Sequence, residues 1–434
     1  MPTDEVFPRS PYVASSIRGA DRLVVLFCPA GTPAGKFPRL LKSPTRRYDV
    51  LAFNAPDSQW YVDGIPETAG QPGRFEQALS AFIGSGGYRR VLFCGASKGA
   101  FGAVDFGLRC GANSILVTGL ESLYGLCAMF RAVVPPALAI RQRRRLGEWP
   151  SLARASPARI HSFYGVESVS DLLYAWVAPR RLGAKALVLA RAGHFLPPAI
   201  EARAGLTALI DDILERDGLA GLEQSLADLD LDRIGRAAVA YVQGTDRRRH
   251  RPAFRPGLVP RNEAERYVVA AALQAQKRPR AALRLLEAPY GAVIGETAWQ
   301  TLRARALLDA GEARAAEPIA RRLHEADPTS LEPAQLLHRA LLRSGRTGMA
   351  AALAIGRFRA DPKRPGLLES SLRQLMASGR KEKAAALLQG ELRGKASAAQ
   401  RTALLAMAAR LALPLPVRTR PLMPASSTTS PTPS

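Results

Sequence analysis

The first 217 residues alternate short apolar runs with longer stretches whose apolar residues recur at helical spacing. The runs fall at 23–28, 49–53, 90–94, 114–118, 159–163 and 185–190, and most are continuous rather than alternating apolar with polar. Strands of that kind are covered on both faces, as in a mostly parallel sheet sandwiched by helices. Between them lie helical stretches near 73–84, 99–110, 120–141 and 171–177, with a closing helix near 199–216. The predicted fold class is α/β with a doubly wound, mostly parallel sheet.

Residues 218–243 read as helical and acidic. The run Arg247-Arg248-Arg249-His250-Arg251-Pro252 then opens a Pro/Arg-rich connection to about Arg261, so 218–261 is expected to link two domains. Beyond it the pattern becomes a repeat. Gly311, Gly345 and Gly379 are 34 residues apart. Leu307, Leu341 and Leu375 keep the same interval, as do Ala282, Ala316, Ala350 and Ala384, and the pairs Asp327-Pro328 and Asp361-Pro362. That is the period of tetratricopeptide repeats, in which a Gly permits the turn between paired helices and a Pro ends the second. The second domain is therefore expected over 262–412 as an all-α tetratricopeptide-like solenoid, with Lys277 standing in its first unit where a Gly is expected. Residues 413–434 are rich in Pro, Ser and Thr and are predicted to be a disordered tail.

A net charge of +24 is divided unequally: +8 over 1–217, zero over 218–250 and +16 over 251–434. Only nine of the 61 basic residues are Lys, a bias that genome composition can produce. A positive surface still attracts acidic proteins or anionic glycans. The cysteines, Cys28, Cys94, Cys110 and Cys127, show no CxxC spacing, so no zinc site is expected. The opening MPTDEVFPRSPYV lacks the basic-then-apolar order of a secretory leader, and no apolar run approaches the roughly 18 to 20 residues of a membrane span. The expectation is a reduced, cytoplasmic protein without a membrane span and without specific nucleic-acid binding.

The candidate chemistry begins at Gly95-Ala96-Ser97-Lys98-Gly99. A G-x-S-x-G arises by accident about 0.2 times in a chain of this length and composition, so context decides. An apolar strand runs into it and a small-residue helix runs out, the setting of a nucleophile elbow. Serine needs a base to take its proton. Of the five histidines, His250, His324 and His338 fall in the linker and repeats, and His161 lies inside a predicted strand. His194 follows the last strand, just before the closing helix. A carboxylate must hold that imidazole in the correct tautomer, and after the preceding strand there are two candidates, Asp171 and Glu167. Asp171 is preferred, although it precedes a helix and could serve only as its N-cap. The order Ser97, Asp171, His194 is that of the fold.

An oxyanion hole needs backbone N–H donors. Lys98 is one candidate; Ala30 or Gly31, after the first strand, supplies the other, since Pro29 has no N–H. The Lys98 side chain could hold an anionic substrate or stand in solvent. Trp60 and Tyr61, in Asp57-Ser58-Gln59-Trp60-Tyr61-Val62-Asp63-Gly64, are candidate substrate-binding residues that could equally cap the core. The basic run Arg141-Gln142-Arg143-Arg144-Arg145 could meet an anionic ligand or form a solvated helix face.

These motifs resemble the α/β-hydrolase superfamily. Phe-Cys-Gly-Ala-Ser-Lys-Gly, Asp-x-x-Trp-Tyr-x-x-Gly and Tyr-Gly-x(5)-Asp are similar to hydrolase-like proteins associated with bacterial surface polysaccharide and glycoprotein export. The resemblance implies ester hydrolysis or acyl transfer through an acyl-serine, on a glycan ester, with no cofactor. The repeats would recruit a protein or peptide partner or an anionic glycan carrier. A dehydrogenase loop is disfavoured because Phe101 stands where its third Gly is required and no Tyr has a Lys four residues later. The remaining alternative is a non-catalytic repeat adaptor on a degenerate hydrolase platform.

Overall fold

All six apolar runs become parallel strands in the computed structural model of the chain, which describes residues 6–7, 10–38, 41, 47–68, 73–120, 136–219, 221–222, 229–245, 259–362, 365–394 and 396–413. The expected linker core at 247–252, the tail from 414, the first part of the 120–141 stretch and Cys127 lie outside the described residues. The strands are β2 (Arg22–Phe27), β3 (Asp49–Phe53), β4 (Arg90–Ala96), β5 (Ser114–Thr118), β6 (Arg159–Gly165) and β7 (Lys185–Leu189). A seventh, β1 (Val13–Ser16), runs antiparallel to β3 and was not legible in the pattern, being four residues long and half serine. The order across the sheet is β1-β3-β2-β4-β5-β6-β7.

Successive side chains on a strand point to opposite faces, and each face of this sheet has its own core. Val25, Phe27, Phe53, Phe93, Ile115 and Val117 point to one face. There they meet α1 (Arg74–Ser85), α2 (Lys98–Arg109) and α4 (Val169–Leu182). Val24, Val50, Leu92, Leu116, Phe163 and Leu187 point to the other, against α5 (Pro197–Ala204) and α6 (Leu206–Arg216). The expected single closing helix is thus two, broken at Gly205, which adopts a left-handed φ of 74°. Between α2 and α4 lies α3 (Pro136–Ala155), the described end of the 120–141 stretch extended by fourteen residues.

The chain forms two compact units, Met1–Ala310 and Gly311–Ser434. The first also contains α7 (Leu231–Thr245), α8 (Glu263–Ala275), α9 (Pro279–Leu286) and α10 (Glu296–Asp309). Their apolar residues, among them Ile234, Val268 and Trp299, belong to the same core as α4. The first helices of the repetitive pattern are therefore packed into the sheet-bearing unit, later than the composition break suggests.

The second unit consists of α11 (Ala313–Ala326), α12 (Leu331–Arg343), α13 (Thr347–Ala360), α14 (Gly366–Ala377), α15 (Lys381–Arg393) and α16 (Ala398–Arg410). The 34-residue period has a direct structural counterpart. Gly345 and Gly379 take φ of 81° and 73°, their N–H groups donate to Leu342 and Met376, and Arg346 and Arg380 donate to Leu341 and Leu375. The same turn recurs at Lys277, with φ 62°, where the pattern wanted Gly. A non-Gly residue there pays for its Cβ in strain. Ala282, Ala316, Ala350 and Ala384 are all fully buried, which explains why that position admits only a small side chain. No helix among the described residues is long and apolar enough to cross a membrane.

Candidate active site

Because β2 to β7 are parallel, the loops that leave their C-terminal ends share one edge of the sheet, the usual place for a site in such folds. Ser97 leaves β4 there, between strand and helix, with φ 51° and ψ −115°. A positive φ is costly for a residue with a Cβ and is held by its surroundings. The two flanking glycines allow it. A Cβ on Gly95 would lie 2.1 Å from the Gly99 carbonyl oxygen, and one on Gly99 would lie 2.1 Å from that of Phe27. The Ser97 N–H donates to the Thr118 carbonyl at 2.9 Å, tying the turn to the end of β5.

The imidazole of His194 meets the same corner. Its Nδ1 is 2.7 Å from Asp171 Oδ1, and its ring lies against Gly119, the residue after Thr118. A carboxylate only accepts, so Nδ1–H donates and Nε2 is the acceptor in the neutral ring. Asp171 is fully buried and richly held: Oδ2 accepts from the Gly165 N–H at 3.1 Å and Oδ1 from Ser168 Oγ at 2.9 Å. The N-cap of α4 is Ser168, whose hydroxyl accepts from the Asp171 N–H; Asp171 itself sits in the first turn. No protein-family model matches this chain, and no curated protein is similar to it.

Glu167, the other candidate acid, faces elsewhere. Its Oε1 accepts from the Gly295 N–H at 2.8 Å, at the start of α10. Its backbone N–H donates to the Ala192 carbonyl at 3.0 Å, which stitches the Asp171 turn to the His194 loop.

On the opposite flank, Lys98 is neither solvated nor open to a substrate, as the sequence allowed. Its side chain is fully buried, its Nζ donates to the Ala55 carbonyl and pairs with Asp57 Oδ1 at 3.0 Å, and it lies 5.3 Å from the Tyr61 ring centre. Burial lowers its pKa, and Asp57 works against that shift. As the first residue of α2, Lys98 has no intrahelical acceptor for its backbone N–H. The Gly31 N–H, one of the two donors left open by the sequence, is committed to Asp57, at 3.0 and 3.2 Å. Cys28 beside them stays a thiol, its pKa pushed up to about 12 by burial despite Lys98.

Trp60 and Tyr61, for which the sequence left substrate binding and capping of the core equally open, are buried side chains. They are 3% and 0% exposed, and the Tyr61 hydroxyl donates to the carbonyls of Cys28 and Phe53. Both have positive φ, 49° and 57°, and this unusual turn drives their rings inward. Nothing in the residue pattern predicts that conformation.

The remaining candidates lie apart from Ser97. His161 is buried where β5 and β6 begin, with Nε2 3.1 Å from Asp217 Oδ1, which also accepts from Ser114 Oγ. In the basic run, Arg141 pairs with Asp63, Arg144 with Glu148, and Arg145 with buried Asp105. These arginines and Arg109 line a cavity of about 350 Å³ whose walls also carry the carboxylates of Asp63, Glu76 and Glu148. No group of three His, Cys, Asp or Glu among the described residues could hold a metal ion.

Proposed function

We propose that the chain is a serine hydrolase or acyltransferase of the α/β-hydrolase type, with Ser97 as nucleophile, His194 as base and Asp171 as its orienting acid. The observation that carries this reading is the 2.7 Å contact between His194 Nδ1, on the loop after β7, and a fully buried Asp171 in the first turn of α4, with the His194 ring against Gly119, next to the Thr118 carbonyl that holds the Ser97 turn. A buried carboxylate at that distance fixes the tautomer and stabilises the imidazolium formed when the base takes a proton.

In the proposed reaction Ser97 Oγ adds to the ester carbonyl as its proton passes to His194 Nε2. The developing oxyanion is received by the N–H groups of Lys98 and Ala30. Collapse breaks the C–O bond, the His194 proton goes to the leaving alkoxide, and an acyl-serine remains. Water or an acceptor hydroxyl then attacks that ester with His194 again as base, and Ser97 is regenerated. The substrate class we infer is an ester on a glycan, and the tetratricopeptide-like repeats would recruit a protein or peptide partner or an anionic carrier of that substrate.

A fluorophosphonate probe tests the assignment, since Ser97 Oγ displaces fluoride and the phosphonyl group stays attached. The full-length protein should be modified at Ser97, and Ser97→Ala should not be. A folded wild-type protein that resists the probe would overturn the enzyme reading and leave a repeat adaptor. Hydrolysis of p-nitrophenyl esters of increasing chain length separates a preference for acetyl, expected for a glycan ester, from one for long acyl chains.

A further inference from the structure

The segment between α9 and α10 makes an unusual set of bonds. The carboxylate of Glu263, at the start of α8, accepts four consecutive backbone N–H groups: Gly291 and Ile294 at 2.8 Å, Ala292 and Val293 at 3.1 Å. A carboxylate can take about four such donors, so this side chain is saturated and the segment has one shape. Burial works to raise the pKa of Glu263, but the four N–H donors outweigh it and hold the group below its usual range.

The segment so shaped grips both of the loops that carry the proposed acid and base. Gly295 N–H donates to Glu167 Oε1, four residues before Asp171. The Val293 carbonyl accepts from the Arg191 N–H at 2.8 Å, and the Gly291 carbonyl accepts from the Arg191 guanidinium, three residues before His194. Arg191 has φ 47°, a conformation that an isolated loop would not keep. From α8 itself, the Tyr267 hydroxyl donates to the Glu167 carbonyl at 3.1 Å. All of these residues belong to one compact unit and the helices share its core.

We propose that Glu263, Glu167 and Arg191 are positioning residues of the active site: Glu263 sets the 291–295 segment, and the segment holds the Asp171 turn and the His194 loop at hydrogen-bonding distance. The inference rests on the proposed triad. It makes the helices after the sheet a working part of the hydrolase rather than a separate recruiting module, and it gives a partner bound to those helices a mechanical route to the acid–base pair.

The test uses the full chain. Gly295→Ala is the most selective variant: its φ of −67° suits alanine, while its new Cβ would stand 2.7 Å from Glu167 Oε1 and displace that carboxylate. Glu263→Gln and Glu167→Gln accompany it. Two quantities are read for each: the rate constant for phosphonylation of Ser97, and the low-field proton resonance of His194 Nδ1–H. We expect labelling to slow about tenfold to a hundredfold, as misplacement of a catalytic group does, with that proton shifted upfield while the fold stays cooperative. In an Asp171→Asn background Glu167→Gln should cost almost nothing more, whereas additive losses would make the role merely structural and overturn the proposal. Variants that label at the wild-type rate with the proton unmoved would also overturn it. If wild type is unlabelled the hydrolase reading fails, and the proton shift alone decides whether the segment sets the His194–Asp171 contact.

Discussion

Gly119 lies against the imidazole of His194 so closely that a Cβ on it would be 2.6 Å from Cε1 and 2.9 Å from Nδ1. The glycine also has φ 60° and follows Thr118, whose carbonyl holds the Ser97 N–H. The absence of a side chain at one position thus lets the ring reach the corner where the nucleophile turns. Gly119→Ala should push the ring away from Asp171, and a displacement of about 1 Å can cost about a hundredfold in rate. Fluorophosphonate labelling of a variant whose circular dichroism matches wild type measures this; labelling at the wild-type rate would show that the ring does not need the space.

Asp171 holds a histidine, a backbone N–H and a serine hydroxyl at once, so its substitutions should separate catalysis from folding. Asp171→Asn can fill the same space but presents only one acceptor and can stabilise the wrong tautomer, and a loss of about 10⁴ in kcat is expected. Asp171→Ala should add a stability loss of about 1–3 kcal/mol by leaving the Gly165 N–H buried and unsatisfied. Ester hydrolysis and urea unfolding measured on both variants test the split. Equal stability of the two would remove Gly165 from the explanation.

The strained turn at Ser97 gives a third expectation. With φ 51° and ψ −115°, the residue is held in a conformation that is strained for any side chain with a Cβ and relaxed for glycine. Ser97→Gly should therefore be more stable than Ser97→Ala by about 1 kcal/mol, and both should be inactive. Thermal melting of the two variants under one condition decides it, and an alanine variant as stable as the glycine one would mean that the turn is not strained.

What the sequence revealed and what it hid follow from the range of the interactions. The strands were legible because both faces of the sheet are buried and their residues are apolar throughout, as in Val24 and Val25, which enter opposite cores. The repeat was legible because the same close-packed alanine and the same left-handed turn recur every 34 residues. The fates of Trp60, Tyr61 and Lys98 were hidden. Two successive left-handed residues turn the rings inward, and a carboxylate 41 residues away in sequence takes the lysine. The sequence preferred Asp171 to Glu167, but it held no sign of what occupies the Glu167 carboxylate, the N–H of Gly295, more than a hundred residues downstream.

Asp57 connects the two proposed oxyanion donors, since it accepts from Gly31, next to Ala30, and pairs with the buried ammonium of Lys98. Asp57→Ala strands that ammonium and releases the loop. The carboxylate is 42% exposed, so the stability loss should be moderated by solvent to about 1–2 kcal/mol. Lys98→Met removes the charge while keeping the buried stem, and should cost less. In the double variant the two losses should fall short of their sum, because the stranded charge is gone. Urea denaturation of the four proteins measures the coupling, and strict additivity would show that the pair is energetically silent.

In the second unit His338 is 1% exposed, and its Nε2 lies 2.6 Å from Ser371 Oγ, joining α12 to α14. Burial lowers its pKa from an ordinary 6.5 to about 4. The unfolded chain therefore takes up a proton at a higher pH than the folded one does. The stability contributed by the neutral ring is fully present above pH 6.5 and is lost progressively as pH falls from 6.5 to 4, by about 3 kcal/mol in all. His338→Gln keeps a partner for Ser371 and cannot titrate. Unfolding free energies of wild type and variant should converge as the pH is lowered through that window and differ by a constant amount above it. A difference that does not change between pH 7 and 4.5 would show that His338 titrates alike in the folded and unfolded chain.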